Sequence, residues 1–324
     1  MDLRLAVHQL AVEHHLDARA KARLEHIAGL EAEPAALHRW LAIGVAVLAG
    51  ALLGLGLIFW IAANWDTLGR FGRFAVLQGT VLVMGLAAIW RPNQRVPLAL
   101  VVLLATGGLF AYFGQTYQTG ADPWQLFALW AALALPLCLG QRSDVLWAPW
   151  VLVAIAAVTL WVHAYSGHRW SVRPDDVTVH GIGWTVALAI VVGLSPLARA
   201  FTGAGVWALR TAATLTVVMI TLTALGGLFF ERVSAQYALG LLALFATTWV
   251  FMSRRGFDVF ALSAAALGIN TLLVAGLARV LFEGQRGDWI GLMLLIGLVA
   301  AGLLAATVNG VLKLARRRSA EENV

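Results

Sequence analysis

The sequence predicts an all-α fold, a polytopic membrane bundle of about ten helices behind a short helical leader. Three observations carry this. Of 324 residues, 60% are hydrophobic and only 12% charged, with a mean hydropathy of +0.81, whereas a soluble domain is about 25% charged. The apolar residues fall in runs long enough to cross a hydrocarbon core of about 30 Å, which takes roughly 20 residues at 1.5 Å rise each. The runs are continuous, without the alternation of barrel strands, and lipid leaves only helices and closed barrels as spanning structures.

Residues 1–39 read as a separate cytosolic amphipathic helical segment. Leu3, Val7 and Leu10 recur at helical spacing, and Leu16, Leu24, Ile27 and Leu30 form a looser second stripe. Asp17 is the natural N-cap of the second helix, and Gly29 and Pro34 mark its end. The opening MDLRLAVHQLAVEHH has acids and histidines where a signal peptide needs an apolar core, so the first apolar helix is expected to be retained. Of His8, His14, His15, His26 and His38, the adjacent His14 and His15 point to different helix faces, so a solvated role is expected rather than chelation.

Ten spans follow: Trp40–Ala63, Phe71–Trp90, Val96–Phe113, Trp124–Leu139, Val145–His163, Gly181–Leu197, Trp207–Phe230, Gln236–Met252, Phe257–Phe282 and Trp289–Leu312. They divide into a region at 40–165 and a second at 166–312, about five helices each, before a basic then polar tail at 313–324. With the N-terminus inside, 16 of the 23 Lys and Arg residues fall on the cytoplasmic side and 7 outside. That bias favours cytoplasmic termini, and the Arg316–Arg318 cluster favours an even number of helices. The clusters explain the basic pI by topology and contact with the lipid bilayer, and no motif accompanies them that would suggest nucleic acid. All four tyrosines fall at expected outer ends and the tryptophans divide between both faces, as interfacial belts do. The single cysteine, Cys138, is expected to pack, with no disulfide or zinc spacing around it.

The informative polar groups lie on the expected outer face. Span one ends in Asn64, Trp65 and Asp66, with Asn64 a helix terminator and Asp66 placed to cap a short turn and to pair with Arg70 four residues on. After span three comes YFGQTYQTGADPWQLF, where Asp122 before Pro123 is a strong helix start and Trp124 opens the fourth span. Between the glycines lie Gln115, Thr116, Tyr117, Gln118 and Thr119, five hydrogen-bonding side chains that membrane insertion does not require. Both segments sit on one face, where they can build one site beside the positive N-terminus of the fourth helix, suited to a polar or anionic group.

The segments Gly50, Gly54 and Gly56, Ala63–Asn64–Trp65–Asp66, and 114–122 with Phe127 and Trp130 downstream resemble a bacterial membrane-protein family catalogued as domain of unknown function 2157, over roughly residues 1–165. The resemblance implies a multi-pass inner-membrane protein without an established activity. It also implies a partner, a second membrane protein with a GDYxxLxY motif that is absent from this chain.

Elsewhere the signals are structural. The loop HAYSGHRWSVRPDDVTVH gathers His163, His168, His180, Asp175 and Asp176, but at irregular spacing that does not favour a metal. Glu231, Glu283 and Asp288 are expected to pair with Arg232, Arg279 and Arg286. Inside the spans only Gln78, Asn270 and Asn309 interrupt the apolar pattern, and they are expected to bond helix to helix. Gly50 and Gly54 form a close-packing face. No nucleophile–base motif, phosphate loop or cofactor motif appears, so catalytic residues and cofactors are none. The reading is a non-enzymatic subunit of a membrane complex with an extracytoplasmic polar site for a partner protein or polar ligand. The alternatives are a transporter or flippase of a small polar solute or lipid, with Asn270 on its path, and an enzyme at the outer interface.

Overall fold

A computed structural model of the chain describes residues 3–28, 35–117, 120, 122–254, 256–283 and 289–322, without the side chains of 3–5, 35–40, 65, 321 and 322. Thirteen α-helices and no strand occur among the described residues: α1 Leu3–Glu13, α2 Ala18–Ile27, α3 Ala35–Ala63, α4 Trp65–Trp90, α5 Arg95–Tyr117, α6 Pro123–Gln141, α7 Asp144–Tyr165, α8 Val177–Gly193, α9 Arg199–Thr202, α10 Val206–Leu228, α11 Ala235–Met252, α12 Val259–Phe282 and α13 Trp289–Glu322. All except α1, α2 and α9 are long and apolar enough to span, ten in total as the sequence predicts. An even number of such spans puts the start of α3 and the end of α13 on the same side. That side is termed the terminal face, and the opposite one the loop face.

The boundaries differ from expectation where local chemistry overrides hydropathy. Span two starts at Trp65 rather than Phe71, because Gly69 takes φ 60° and ψ 171° and separates one turn, Trp65–Leu68, from the main helix. Asp66 therefore sits in the first turn instead of capping it, and no ion pair joins it to Arg70, whose guanidinium lies 5.1 Å from the Phe71 ring. Span six is shifted toward the loop face, from Val177 to Gly193, ending just before Ser195–Pro196. The last helix runs on to Glu322, so the basic residues from Lys313 onward ride its final turns.

In the leader, Asp17 caps α2 by accepting the Ala20 N–H at 2.7 Å. Val7 and Ala11 are buried, but Leu10 is exposed, α2 buries nothing and Ile27 is 75% exposed. The second stripe is not a buried face, and Gly29, Leu30 and Pro34 lie outside the described residues.

The core lies around α7 and α10. It joins Ala99 and Leu103 of α5, Cys138 of α6, Val151 of α7, Ala187 of α8 and Ala212 of α10, so it draws on both the 40–165 and the 166–312 regions. Small side chains let the backbones approach, and the gain is van der Waals contact, since lipid supplies no hydrophobic drive between helices. Cys138 is fully buried with its sulfur 3.7 Å from the Leu146 carbonyl. Three tryptophans expected at the interfaces act instead as cross-helix donors: Trp130 to Leu103 O at 3.0 Å, Trp147 to Thr202 O at 3.0 Å and Trp150 to Ala131 O at 2.8 Å. The carboxylate of Asp144 accepts the Gly205 and Trp207 N–H groups at 2.6 and 3.0 Å, capping α10 from another helix. Asp258 caps α12 through Ala261 N–H at 2.8 Å and pairs with Arg210 at 3.2 Å.

The glycine face of α3 packs as expected. A Cβ on Gly50 would lie 2.8 Å from Pro97 O, and one on Gly54 2.7 Å from Leu104 Cδ1. At Gly107 of α5 an added Cβ would fall on the Trp130 indole, whereas Gly56 faces open space. We expect Gly107→Val to cost about 1–3 kcal/mol, as overpacking does, read as a lowered Tm in detergent, with Gly56→Val unchanged. Equal melting of the two variants would show that the α5–α6 seam does not depend on this approach.

Candidate functional site

The sharpest concentration of buried polarity on the loop face lies between α7 and α8. The connection is shaped by two successive left-handed residues, Gly167 at φ 71° and His168 at φ 59°. It is then pinned from outside. Gln236 of α11, fully buried, donates its Nε2 to Arg173 O at 2.6 Å. Val172 fills the space over Gly226 of α10, where a Cβ would come within 2.5 Å of it. The Ser166 hydroxyl sits 3.1 and 3.2 Å from the carbonyls of His163 and Arg169. The loop is a fixed roof.

Beneath it is a cavity of about 350 Å³ between α7, α8 and α10. Its walls are apolar, among them Ile155, Val162, Trp184, Leu215 and Met219, and its upper rim carries His163, Arg169, Ser171 and His180. His180 is only 6% exposed and its Nδ1 has no partner. The Nδ1 of His163 is also buried and unpartnered, while its ring stacks on Trp170 at 4.2 Å. Buried polar atoms are partnered in the great majority of cases, so two such nitrogens on one rim call for an explanation. The Arg169 guanidinium stands 3.9 Å from Asp176 Oδ2, close enough for charge but too far for a hydrogen bond. Among the described residues no three His, Cys, Asp or Glu side chains gather as a metal would need.

Among the described residues, the sequence-predicted set meets the roof of this cavity through Asp122. Asn64 precedes α4, and its Nδ2 donates to Trp60 O at 2.9 Å. Asp66 is exposed, and the side chain of Trp65 is not among those described. Gln115 is exposed on the last turn of α5. Tyr117 ends that helix half-exposed, 4.7 Å from the Phe113 ring and 6.1 Å from Phe74. Gln118 and Thr119 lie outside the described residues. The ends of spans one and three share a small core of Ile61, Leu77 and Tyr112, with the Tyr112 hydroxyl donating to Arg70 O at 3.1 Å. Their predicted polar side chains make no hydrogen bond to each other among the described residues. Tyr112 and Tyr237 are packing donors rather than belt residues, the latter reaching Leu272 O at 3.0 Å.

Asp122 holds the N-cap position with Pro123 behind it, but it makes no capping bond. Its Oδ1 meets His168 Nε2 at 2.8 Å instead. His168 lies edge-on to His163 at 5.6 Å, so the motif loop is joined to the cavity roof. Trp124, 6.4 Å from Tyr165, lines a shallow apolar groove with Trp161 and Ile182. Of the intramembrane polar residues, Asn270 bonds Thr307 on α13 at 3.0 Å, as expected. Gln78 and Asn309 are exposed on their helices, and the expected helix-to-helix bonds are absent among the described residues. Arg279 pairs with Glu283 at 3.8 Å and caps α10 through the carbonyls of Leu228, Phe230 and Glu231. Arg286 and Asp288 lie outside the described residues.

Residues 8–147 match a family described as Predicted membrane protein (DUF2157), the family the sequence resembles. The match covers both motif segments and stops before the cavity. No curated protein and no solved structure matches the chain. Asp122 and His168 are 37% and 62% exposed, and such pairs contribute under about 1 kcal/mol. We therefore expect His168→Ala to speed amide exchange at Trp124 and Gln125 while leaving the global Tm in place. Unchanged exchange there would show that the contact does not hold the loop.

Proposed function

We propose that the chain is a non-enzymatic subunit of the bacterial inner membrane whose extracytoplasmic face receives a polar ligand or the polar end of a partner. The observation that carries this is the roofed cavity with its unpartnered rim nitrogens, tied to the motif loop by the Asp122–His168 contact. The excess of Lys and Arg on the terminal face supports cytoplasmic termini and an extracytoplasmic loop face.

A binding role suits the chemistry better than a reaction. The Ser166 hydroxyl is directed to the backbone carbonyls of His163 and Arg169 rather than to an imidazole, so it forms no nucleophile–base pair there. Asn270 is engaged by Thr307 and is not among the residues lining the roofed cavity, which weighs against a polar path through the bundle at that position.

A photoreactive residue at position 117, irradiated in cells that express the neighbouring genes, tests the reading. A discrete adduct identified by mass spectrometry is the expected outcome, and a second membrane protein bearing a GDYxxLxY motif is the partner the family resemblance implies. Gln115→Ala with Tyr117→Ala should abolish that adduct, probed from position 124, at normal abundance. Loss of insertion instead would make these residues structural, and no adduct from either position would remove the proposal.

A further inference from the structure

We propose that the roofed cavity binds a single-chain anionic amphiphile, its carboxylate or phosphate head at Arg169, His163 and His180 and its hydrocarbon chain along Trp184, Met219 and Leu222. This rests on the reading above and names the ligand class of that site.

The head end follows from the rim. His180 and His163 line the rim, each with one ring nitrogen that is buried and has no partner, and an imidazole N–H pairs with an oxyanion. Arg169 adds a cation with five donors in a planar fork that matches carboxylate and phosphate. Asp176 is not among the lining residues, and its Oδ2 stands 3.9 Å from the guanidinium.

The chain end follows from the walls and from where they open. Val218 and Leu222, one helical turn apart on α10, line the cavity and are 46% and 62% exposed. In a membrane those positions face hydrocarbon, so the cavity has a side door to the bilayer as well as a polar roof. From Ile155 to His163 the lining of α7 rises eight residues, about 12 Å. That is under half of a hydrocarbon core of about 30 Å, the depth of one leaflet. At about 30 Å³ per water-sized group, 350 Å³ holds about a dozen methylene-sized groups, which is one chain and not two. A polar headgroup without charge would draw little from the Arg169 charge, and a soluble anion would leave the apolar shaft unfilled.

The test uses the full-length protein in detergent and a long-chain fatty acid carrying a mid-chain diazirine, with its methyl ester as the uncharged control. The expected result is labelling of the peptides around Ile155–Thr159 and Met219–Leu222 by the acid and little by the ester. Arg169→Gln should cut labelling by the acid about tenfold, the loss expected for one charge-assisted hydrogen bond. Met219→Trp, which fills the shaft, should abolish it, and unchanged thermal melting shows both variants folded. Competition by an alkyl phosphate or by an unlabelled fatty acid assigns the head as phosphate or carboxylate. Equal labelling by acid and ester, labelling spread over all lipid-facing helices, or indifference to both variants overturns the proposal. A protein adduct from position 117 alongside any of these would sink the amphiphile and leave the broader reading standing.

Discussion

Everything in this bundle answers to one constraint: hydrocarbon offers no hydrogen-bond partner, so each donor and acceptor inside it must be met from within the protein. The partly buried hydroxyls show the cheapest solution. Thr106, Thr159, Thr214 and Thr247 each turn back to the carbonyl four residues earlier, at 2.7–2.9 Å. Helix ends need longer reaches. Asp144 answers the first N–H groups of α10 from α7, and Arg279 answers its last carbonyls from α12, so one helix is finished at both ends by two others. The indoles of Trp130, Trp147 and Trp150 follow the same rule across three helix pairs. Against that background, the two rim imidazole nitrogens stand out because both belong to side chains that line one cavity, unlike Trp124 Nε1 and Thr221 Oγ1, which are also buried without a partner.

The spans were legible in the sequence because hydrophobic thickness is a one-dimensional requirement, and a run of apolar residues reports it directly. The GxxxG-type face and the Asn270 contact were legible for a related reason, since few residue types serve those roles in lipid. What one dimension cannot show is where a side chain reaches. Asp122 has every local mark of a helix cap, and before proline it occupies that position, yet its carboxylate turns 46 residues along the chain to His168. The tryptophans misled in the same way, because an indole at a membrane edge and an indole stapling two helices share one sequence signature.

The cavity was hidden because its walls come from three helices and its roof from a loop whose histidines and carboxylates fall at irregular spacing. Its firmness depends on Gln236 and Gly226, far along the chain and unremarkable as letters. One signal was present. His163 closes one expected span and His180 immediately precedes the next, at apolar helix ends where a polar ring is costly and so has a reason to be there. The motif residues drew attention to the neighbouring loop, which abuts the roof through Asp122.

The family segment ends at residue 147, one turn into α7. Trp147 itself is 1% exposed and hydrogen-bonded to Thr202, beyond the segment's end. A polypeptide consisting of that segment alone would turn the small-residue flank around Ala99, Ala134 and Cys138 toward acyl chains, with none of the helical surface that fits it. The stretch that recurs as sequence and the stretch that can stand as a body are therefore different lengths, and any protein built on the former must find a counterpart for that flank, in its own chain or in a neighbour.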